Sequence, residues 1–352
     1  MTRTLSLLLL LALLCACAPT TFSAVPAAPV VKGERIWPTL GWPTSTPEEQ
    51  GLDSARLDRA AQRAEKMGIA SLLVFRHGYL VHENYFAKTK ASTRFSMYSV
   101  TKSFTSTLAG IAVDQGYITN IDTPVRDALP NLVVNTTSPE KDQMTLRHLL
   151  TMTSGLDWEE GDPVYRAMYA SKNWVNYVMD TPMSEKPGSK FLYCSGCSHL
   201  LSAAVHQAVK NDLPSFAELN LFGPLGITDY YWEDDAQGIP IGGWGLNLTA
   251  RDMAKLGYLY LNKGQWNGMQ IVSEAWIKAA TKTQVETGDN VGYGYQWWVD
   301  NDFDAYYASG RYGQFIYVVP RLDMIVVTTT LPPKDTWGIS LIHDEIIPAV
   351  ID

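Results

Sequence analysis

A serine and a lysine three residues apart, Ser99 and Lys102, are the side chains of this sequence best suited to covalent chemistry. On a helix, residues at this spacing lie within contact distance on one face. A serine hydroxyl is a weak nucleophile at neutral pH and needs a neighbouring base. A lysine amine is such a base when burial lowers its pKa. The pair predicts a nucleophile and its base; on this motif alone, a helix start followed by a solvated lysine stays open.

The residues after Ser99 predict the helix that this geometry requires. Small and apolar side chains recur with helical periodicity from Ser103 to Ala112, and Gly116 is typical of a helix end. A nucleophile in the first turn also lies near the positive end of the helix dipole. The same spacing recurs at 138–141, but that stretch is polar, contains a proline and is typical of a loop.

An acyl-transfer site also needs a proton carrier for the leaving group and donors for the oxyanion. Tyr193 follows a turn-like stretch and precedes an apolar helical run, and a nearby ammonium would stabilise its ionised phenol. In the small-residue segment 308–313, the backbone amide of Arg311 would act beside that of Ser99 as an oxyanion hole. Taken alone, a packed tyrosine and a plain turn stay open as alternatives.

In this order the three segments resemble those of the serine β-lactamase-related family, which includes class C β-lactamases, serine D,D-peptidases, carboxylesterases and 6-aminohexanoate-dimer hydrolase. The resemblance runs from about residue 45 to the C-terminus and includes the segments 145–156 and 292–298. It implies an α/β fold of the α+β type. A five-stranded antiparallel sheet would be flanked by helices, with a mainly helical subdomain inserted at about 118–291.

Carried over residue by residue, the resemblance implies three kinds of role. The catalytic residues would be Ser99 as nucleophile, Lys102 as its base partner and Tyr193 as proton relay. The backbone amides of Ser99 and Arg311 would form the oxyanion hole. Ser195, Ser309 and Gly310 would bind the substrate. No metal or other cofactor is implied.

Two positions depart from the family pattern. Ser195 stands where β-lactamases and peptidases usually carry Asn, and Ala308 stands where they place Lys or His. That cation helps to hold a substrate carboxylate, so its loss should weaken recognition of penicillins and D-Ala-D-Ala ends. The sequence leaves open whether the Arg311 side chain replaces it.

These observations predict a serine hydrolase that cleaves small esters or amides through an acyl-enzyme. Two alternatives stay open: a cell-wall D,D-carboxypeptidase or β-lactamase acting on a peptide or β-lactam, and a non-catalytic, membrane-tethered binding protein that uses the same cleft.

The N-terminus is typical of a bacterial lipoprotein. Arg3 precedes an apolar run, Leu5 to Leu14, that is too short for a permanent membrane span. The run ends in Leu14-Cys15-Ala16-Cys17, which resembles a lipoprotein cleavage box. This box predicts a signal peptide at 1–16, lipidation of Cys17, a tether at 17–47 and the hydrolase domain at 48–352. The expected location is the cell envelope, with a lipid anchor in the membrane; a secreted or periplasmic protein is the alternative.

Composition restricts the possible partners. The 352 residues carry a net charge of −8 without a cluster of lysine and arginine, so nucleic acid is not an expected partner. The six histidines are scattered and lack the spacing of a zinc site. Cys194 and Cys197 form either a small disulfide or a pair of buried thiols.

The elements that must position these segments follow from the hydrophobic pattern. A helix is predicted at 53–67, then a hairpin of strands 71–75 and 79–86, with four further strands at 293–299, 305–309, 314–319 and 324–330. Short helices are expected between them, among them 146–153, 165–179, 198–210 and 249–263, and a final helix at 337–350. Pairing of the two chain ends would produce one antiparallel sheet.

Overall fold

The structure is a computed structural model that describes residues 35–130, 139–210, 212–334, 336 and 338–351. The predicted signal peptide, the lipidation site Cys17 and the first part of the predicted tether lie outside these residues. No helix in the described ranges is long and apolar enough to cross a bilayer.

The strands come mainly from the two ends of the described chain. In chain order they are β1 (Ile69–Arg76), β2 (Tyr79–Tyr85), β3 (Arg94–Ser96), β4 (Tyr231–Trp232), β5 (Leu246–Thr249), β6 (Gln265–Trp266), β7 (Met269–Gln270), β8 (Val285–Gly288), β9 (Val291–Tyr293), β10 (Trp298–Asp300), β11 (Ala305–Gly310), β12 (Gln314–Val319) and β13 (Met324–Thr330).

Eight of these strands form one antiparallel sheet in the order β2-β1-β13-β12-β11-β10-β9-β8. The chain ends meet where β1 pairs with β13, with Leu73 opposite Val327. Every residue of β1 and β13 is buried. Strands that are buried along their whole length are expected where both faces of a sheet are covered, and helices do cover both faces of this sheet.

The α-helices lie on the two faces and between the strands. They are α1 (Ser54–Met67), α2 (Thr101–Asp114), α3 (Val125–Ala128), α4 (Leu146–Leu150), α5 (Asp162–Ala170), α6 (Trp174–Asp180), α7 (Ser195–Ala208), α8 (Leu213–Ala217), α9 (Gly223–Leu225), α10 (Ala250–Leu261), α11 (Glu274–Ala280) and α12 (Ile339–Leu341). α1 packs on one face with the C-terminal helical turns, and α10 packs on the other. α2 and α7 lie side by side in the larger core, where they carry the candidate site.

Local signals explain the ends of α1. The Asp53 side chain accepts a hydrogen bond from the backbone N–H of Arg56 at 3.1 Å and so caps the first turn. Gly68 ends the helix at φ 87°, a conformation that glycine adopts at little cost. The predicted helix at 53–67 is therefore confirmed, as are the β1–β2 and β12–β13 hairpins.

The expectation of five strands is wrong, although the α/β class is right. The aromatic run at 293–299 looks like one strand, but Gly294 to Trp297 form a turn in which Gln296 has φ 62°. β9 and β10 are therefore separate strands. A further hairpin turn at Asp289 and Asn290, both with positive φ, adds β8 to the sheet. The sheet therefore has eight strands, with β10, β9 and β8 extending it beyond β11.

The N-terminal boundary of the domain also needs correction. Residues from 35 onward belong to one compact unit, although the composition assigned 17–47 to a tether. Trp42 is 8% exposed and its indole N–H donates to the carbonyl of Arg251 at 3.0 Å. Thr39 accepts a hydrogen bond from the indole of Trp266 at 2.8 Å. A segment that contains Pro and Trp can pack against a domain as well as extend away from it, so the prediction of a tether is wrong for residues 35–47.

Two predicted helices are interrupted. The run at 165–179 is divided into α5 and α6, because the Asn173 side chain caps a new helix by accepting from the N–H of Asn176 at 2.9 Å. The final helix consists of α12, a π-helical turn (Ile342–Ile346) and a 3₁₀ turn (Ile347–Ala349).

Candidate active site

Ser99 lies in a 3₁₀ turn, Tyr98–Val100, that leads directly into α2. The residue before it, Tyr98, has φ 45°, a conformation that costs a non-glycine residue free energy and is enriched at functional sites. The strained turn is held from outside, since the Tyr98 ring packs edge-on against Tyr312 with ring centroids 5.2 Å apart. The helix start predicted at Ser99 is thus confirmed within one turn.

Lys102 is buried, with 1% of its surface exposed, and its amine is surrounded by oxygen atoms. Nζ lies 2.9 Å from Ser99 Oγ, 2.9 Å from Ser195 Oγ and 2.8 Å from the carbonyl oxygen of Gly243. Burial lowers the pKa of Lys102 from 10.5 to about 8, while the charge of Glu160 acts weakly in the opposite direction. The alternative of a solvated lysine is therefore excluded.

Tyr193 lies immediately before Cys194, the N-cap residue of α7, as the sequence predicted. Its ring stacks on Trp298 with centroids 5.8 Å apart, and Lys102 Nζ lies 4.8 Å from its ring centroid. The expectation of a stabilised phenolate is wrong, because burial raises the pKa of Tyr193, and its interaction with Ser99 only partly offsets this effect. The phenol is protonated at neutral pH.

Ser195 is the first residue of α7 and is buried beside Lys102. The Cys194–Cys197 disulfide spans the same first turn, which decides between the two interpretations of these cysteines. Opposite this turn lies Gly243, where an added Cβ would come 2.7 Å from the carbonyl oxygen of Ser195. Glycine therefore lets the loop approach α7 closely enough for its carbonyl to reach Lys102.

The end of β11 lies against the turn that carries Ser99. Gly310 approaches the backbone of Met97 so closely that an added Cβ would collide with its carbonyl oxygen. Arg311 follows and lines the cleft above Ser99, with its guanidinium 5.0 Å from the ring centroid of Tyr312. Ser309 is half-buried and Ala308 is buried, and neither side chain lines the cleft. The roles assigned to Ser309, Gly310 and the amide of Arg311 stay predictions.

Glu160 is a member of the site that the sequence did not reveal. Its carboxylate accepts hydrogen bonds from the backbone N–H and the hydroxyl of Ser195, at 2.5 and 3.1 Å. The Trp158 indole donates to it at 2.8 Å, and the Tyr165 hydroxyl donates to it as well. Neither a motif nor a spacing marks this residue, since its position depends on how the loop after α4 meets α7.

The cleft above Ser99 has a volume of about 700 Å³ and an aromatic wall. Tyr165 and Trp244 meet edge to face at 5.1 Å, and the Trp244 indole donates to the Tyr169 hydroxyl at 2.8 Å. Glu160 and Asp162 also line the cleft. The described residues contain no group of three or more His, Cys, Asp or Glu side chains that could hold a metal ion.

The sequence model of the family described as "Beta-lactamase" matches residues 56–335, which is most of the chain. The chain belongs to the β-lactamase family. It is 25% identical over 340 residues to 6-aminohexanoate-dimer hydrolase of Paenarthrobacter ureafaciens, covering 89% of this chain and 81% of that one.

Two solved structures share the fold of this β-lactamase family member. EstCE1, a hydrolase with promiscuous acyltransferase activity, superposes with a TM-score of 0.70 at 20% identity, covering 87% of this chain and 99% of that one. The octameric penicillin-binding protein homologue from Pyrococcus abyssi superposes with a TM-score of 0.64 at 19% identity, covering 83% and 77%. At these identities the similarity to the two structures establishes the fold of this chain. Homologues in the family include hydrolases.

The pH dependence of Ser99 reactivity should report the pKa of Lys102. A base must be unprotonated, so the rate of Ser99 acylation is expected to rise with pH and to level off above about 8. The measurement is the second-order rate of labelling by a fluorophosphonate between pH 5.5 and 10. A rate that stays flat across this range would contradict the role of Lys102 as base.

Lys102→Met should stabilise the protein at neutral pH. With a pKa of about 8 folded and 10.5 unfolded, the buried ammonium costs about 3 kcal/mol at pH 7. Losing the donor to Gly243 offsets part of this gain, which leaves about 1–2 kcal/mol. Between pH 8 and 10.5 the unfolded wild type binds more protons than the folded wild type, so the stability of the wild type rises with pH. The difference in stability between the wild type and Lys102→Met therefore becomes smaller as the pH rises.

Thermal unfolding of both proteins at pH 7 and pH 10 measures this difference. The exposed Lys66→Met is the matched control and should leave the unfolding temperature nearly unchanged at both pH values. If the unfolding temperatures of the wild type and Lys102→Met differ by the same amount at pH 7 and pH 10, the free-energy cost assigned to the buried ammonium is contradicted.

Proposed function

We propose that this protein is a serine hydrolase that cleaves small esters or amides through an acyl-enzyme on Ser99. The observation that carries the proposal is the contact of 2.9 Å between Lys102 Nζ and Ser99 Oγ. The surrounding burial lowers the pKa of Lys102 to about 8, so a useful fraction of the amine is neutral near physiological pH. The membership of the chain in a family with hydrolase relatives supports the same function.

In the proposed mechanism, Lys102 takes the proton of Ser99 while Oγ attacks the substrate carbonyl. The backbone amides of Ser99 and Arg311 donate to the oxyanion of the tetrahedral intermediate. Tyr193, which is protonated, gives its proton to the leaving oxygen or nitrogen and regains one from the Lys102 ammonium. The C–O or C–N bond breaks and leaves the acyl group on Ser99. Water then hydrolyses this ester by the same steps in reverse.

The cleft supports a substrate with an apolar stem. Its aromatic wall of Tyr165, Tyr169 and Trp244 offers ring faces and edges to the stem, while Glu160 and Asp162 add negative charge at the same side. The relative from Paenarthrobacter is named for a 6-aminohexanoate dimer and EstCE1 is called a hydrolase. Amides and esters of small apolar acids are therefore the substrate class that we propose.

Arg311 favours a second candidate, a D,D-carboxypeptidase or β-lactamase. Its guanidinium lines the cleft, where it is available to a substrate carboxylate in place of the missing cation. The burial of Ala308 argues against this candidate, because the position that carries Lys or His elsewhere presents only a methyl group inside the core.

The test combines a covalent probe with three substrate classes. A fluorophosphonate should label the wild type, and Ser99→Ala should abolish labelling while leaving the unfolding temperature within about 1 °C. Purified protein should then hydrolyse p-nitrophenyl esters at least about 100-fold faster than nitrocefin or a D-Ala-D-Ala peptide. Faster turnover of nitrocefin or the peptide would favour the second candidate. Labelling that survives the substitution would refute the nucleophile, and no labelling at all would favour the binding protein.

We also propose that the protein is exported and anchored by a lipid on Cys17. The cleavage box in the sequence supports this location, and a disulfide between Cys194 and Cys197 is suited to an oxidising compartment.

Cys17→Ala should move the protein from the membrane fraction to the soluble fraction and abolish labelling with a palmitate analogue. Cys15→Ala, two residues away in the same box, is the matched control and should stay lipidated. If both variants fractionate like the wild type, the lipid anchor is refuted.

A further inference from the structure

We propose that Glu160 is a positioning residue, which fixes the direction of the hydrogen bonds around Lys102 and so turns the lone pair of the amine toward Ser99. The inference deepens the proposed function and rests on it. It concerns a side chain that touches neither the nucleophile nor the base and acts through Ser195.

The proton of the Ser195 hydroxyl points toward Glu160. A carboxylate accepts hydrogen bonds and donates none, so the contact of 3.1 Å between Ser195 Oγ and Glu160 Oε2 uses the single Ser195 proton. Glu160 is itself held by Trp158 and Tyr165, and by the backbone N–H of Ser195 at the start of α7. A carboxylate at a helix N-terminus is also favoured by the helix dipole. Ser195 therefore faces Lys102 with a lone pair.

The acceptors around the Lys102 amine determine where its hydrogens and its lone pair point. The carbonyl of Gly243 can accept and cannot donate, and the Ser195 oxygen is now an acceptor too. A neutral amine has two hydrogens and one lone pair. When both hydrogens are donated to Gly243 and Ser195, the lone pair has one remaining neighbour, the Ser99 hydroxyl at 2.9 Å. This is the orientation in which Lys102 accepts the Ser99 proton.

Replacing the Glu160 carboxylate with an amide would change the direction of these hydrogen bonds. A glutamine at position 160 brings an amide group that can donate to Ser195 as well as accept from it. The Ser195 hydroxyl is then released to donate to Lys102, where it competes with Ser99 for the single lone pair. The base stays in place but spends part of its time facing the wrong hydroxyl.

The charge of Glu160 supplies a second signature. The titratable groups around the amine are Glu160, the Tyr193 ring that Nζ overlies, and beyond these Tyr165 and Tyr293, which burial and Glu160 keep protonated. Arg311 lines the same cleft. Glu160 acts to raise the pKa of Lys102, so its removal should move the rise in activity to lower pH. A residue with a merely structural role would leave the pH of this rise unchanged.

The experiment measures the rate of fluorophosphonate labelling at Ser99, from pH 5.5 to 10, in the full-length protein. Glu160→Gln should label about 10-fold more slowly on the plateau above pH 8, since general-base catalysis contributes about 10²–10⁴-fold and the orientation of the base is only partly lost. The rise in rate should shift to lower pH. Glu159→Gln removes the same charge from the neighbouring exposed residue and should match the wild type in both respects.

A double-mutant cycle with Ser195→Ala tests the route of the effect. If Glu160 acts through the Ser195 hydroxyl, Glu160→Gln should cost about 10-fold in the wild-type background and less than about 2-fold in Ser195→Ala. Equal costs in both backgrounds, or a slower rate without a shift in pH, would overturn the inference. Failure of the wild type to label at Ser99 would refute the proposed function and this inference together. A wild-type rate and pH profile in Glu160→Gln would refute the inference alone.

Discussion

The burial of one amine, that of Lys102, is the constraint on which the site depends. Removing an ammonium-forming group from water is costly unless polar atoms replace the water. Here three oxygen atoms replace it, and each comes from a different element: the turn before α2, the first residue of α7 and the loop at Gly243. The three elements must therefore converge on one point. Glycine at position 243 allows the closest of these approaches.

A second polar centre, Gln296, keeps α2 and α7 in register with each other and with the sheet. It lies in the turn between β9 and β10, where its carbonyl accepts from Ser103 at 2.7 Å and its side-chain oxygen accepts from Ser198 at 2.8 Å. Ser103 follows Lys102, and Ser198 lies one turn after Ser195. The turn that breaks the predicted strand thus serves the site, because it fixes the spacing of the two helices that hold the amine.

The sequence predicted what depends on neighbours along the chain. The spacing of Ser99 and Lys102, the hairpins and the loop position of Tyr193 are local features, and the structure has them. Contacts between distant segments were missed: Glu160 reaches Ser195 across 35 residues, and Gly243 reaches Lys102 across 141. Their residue types carry no signal until the chain is folded. The direction predicted for the Tyr193 pKa was wrong for a related reason, since burial and the charge of the distant residue Glu160 both raise this pKa.

The same burial prepares both the base and the acid of the proposed mechanism. Desolvation disfavours whichever form of a group is charged, so it lowers the pKa of an amine and raises that of a phenol. Lys102 and Tyr193 lie 4.8 Å apart, from Nζ to ring centroid, and burial shifts their pKa values in opposite directions. Above pH 8 the amine is mostly neutral and the phenol is protonated, which are the states that the proposed mechanism requires of its base and its acid. Because burial shifts both groups, the packing around the amine matters to the proposed mechanism as much as the residues that react.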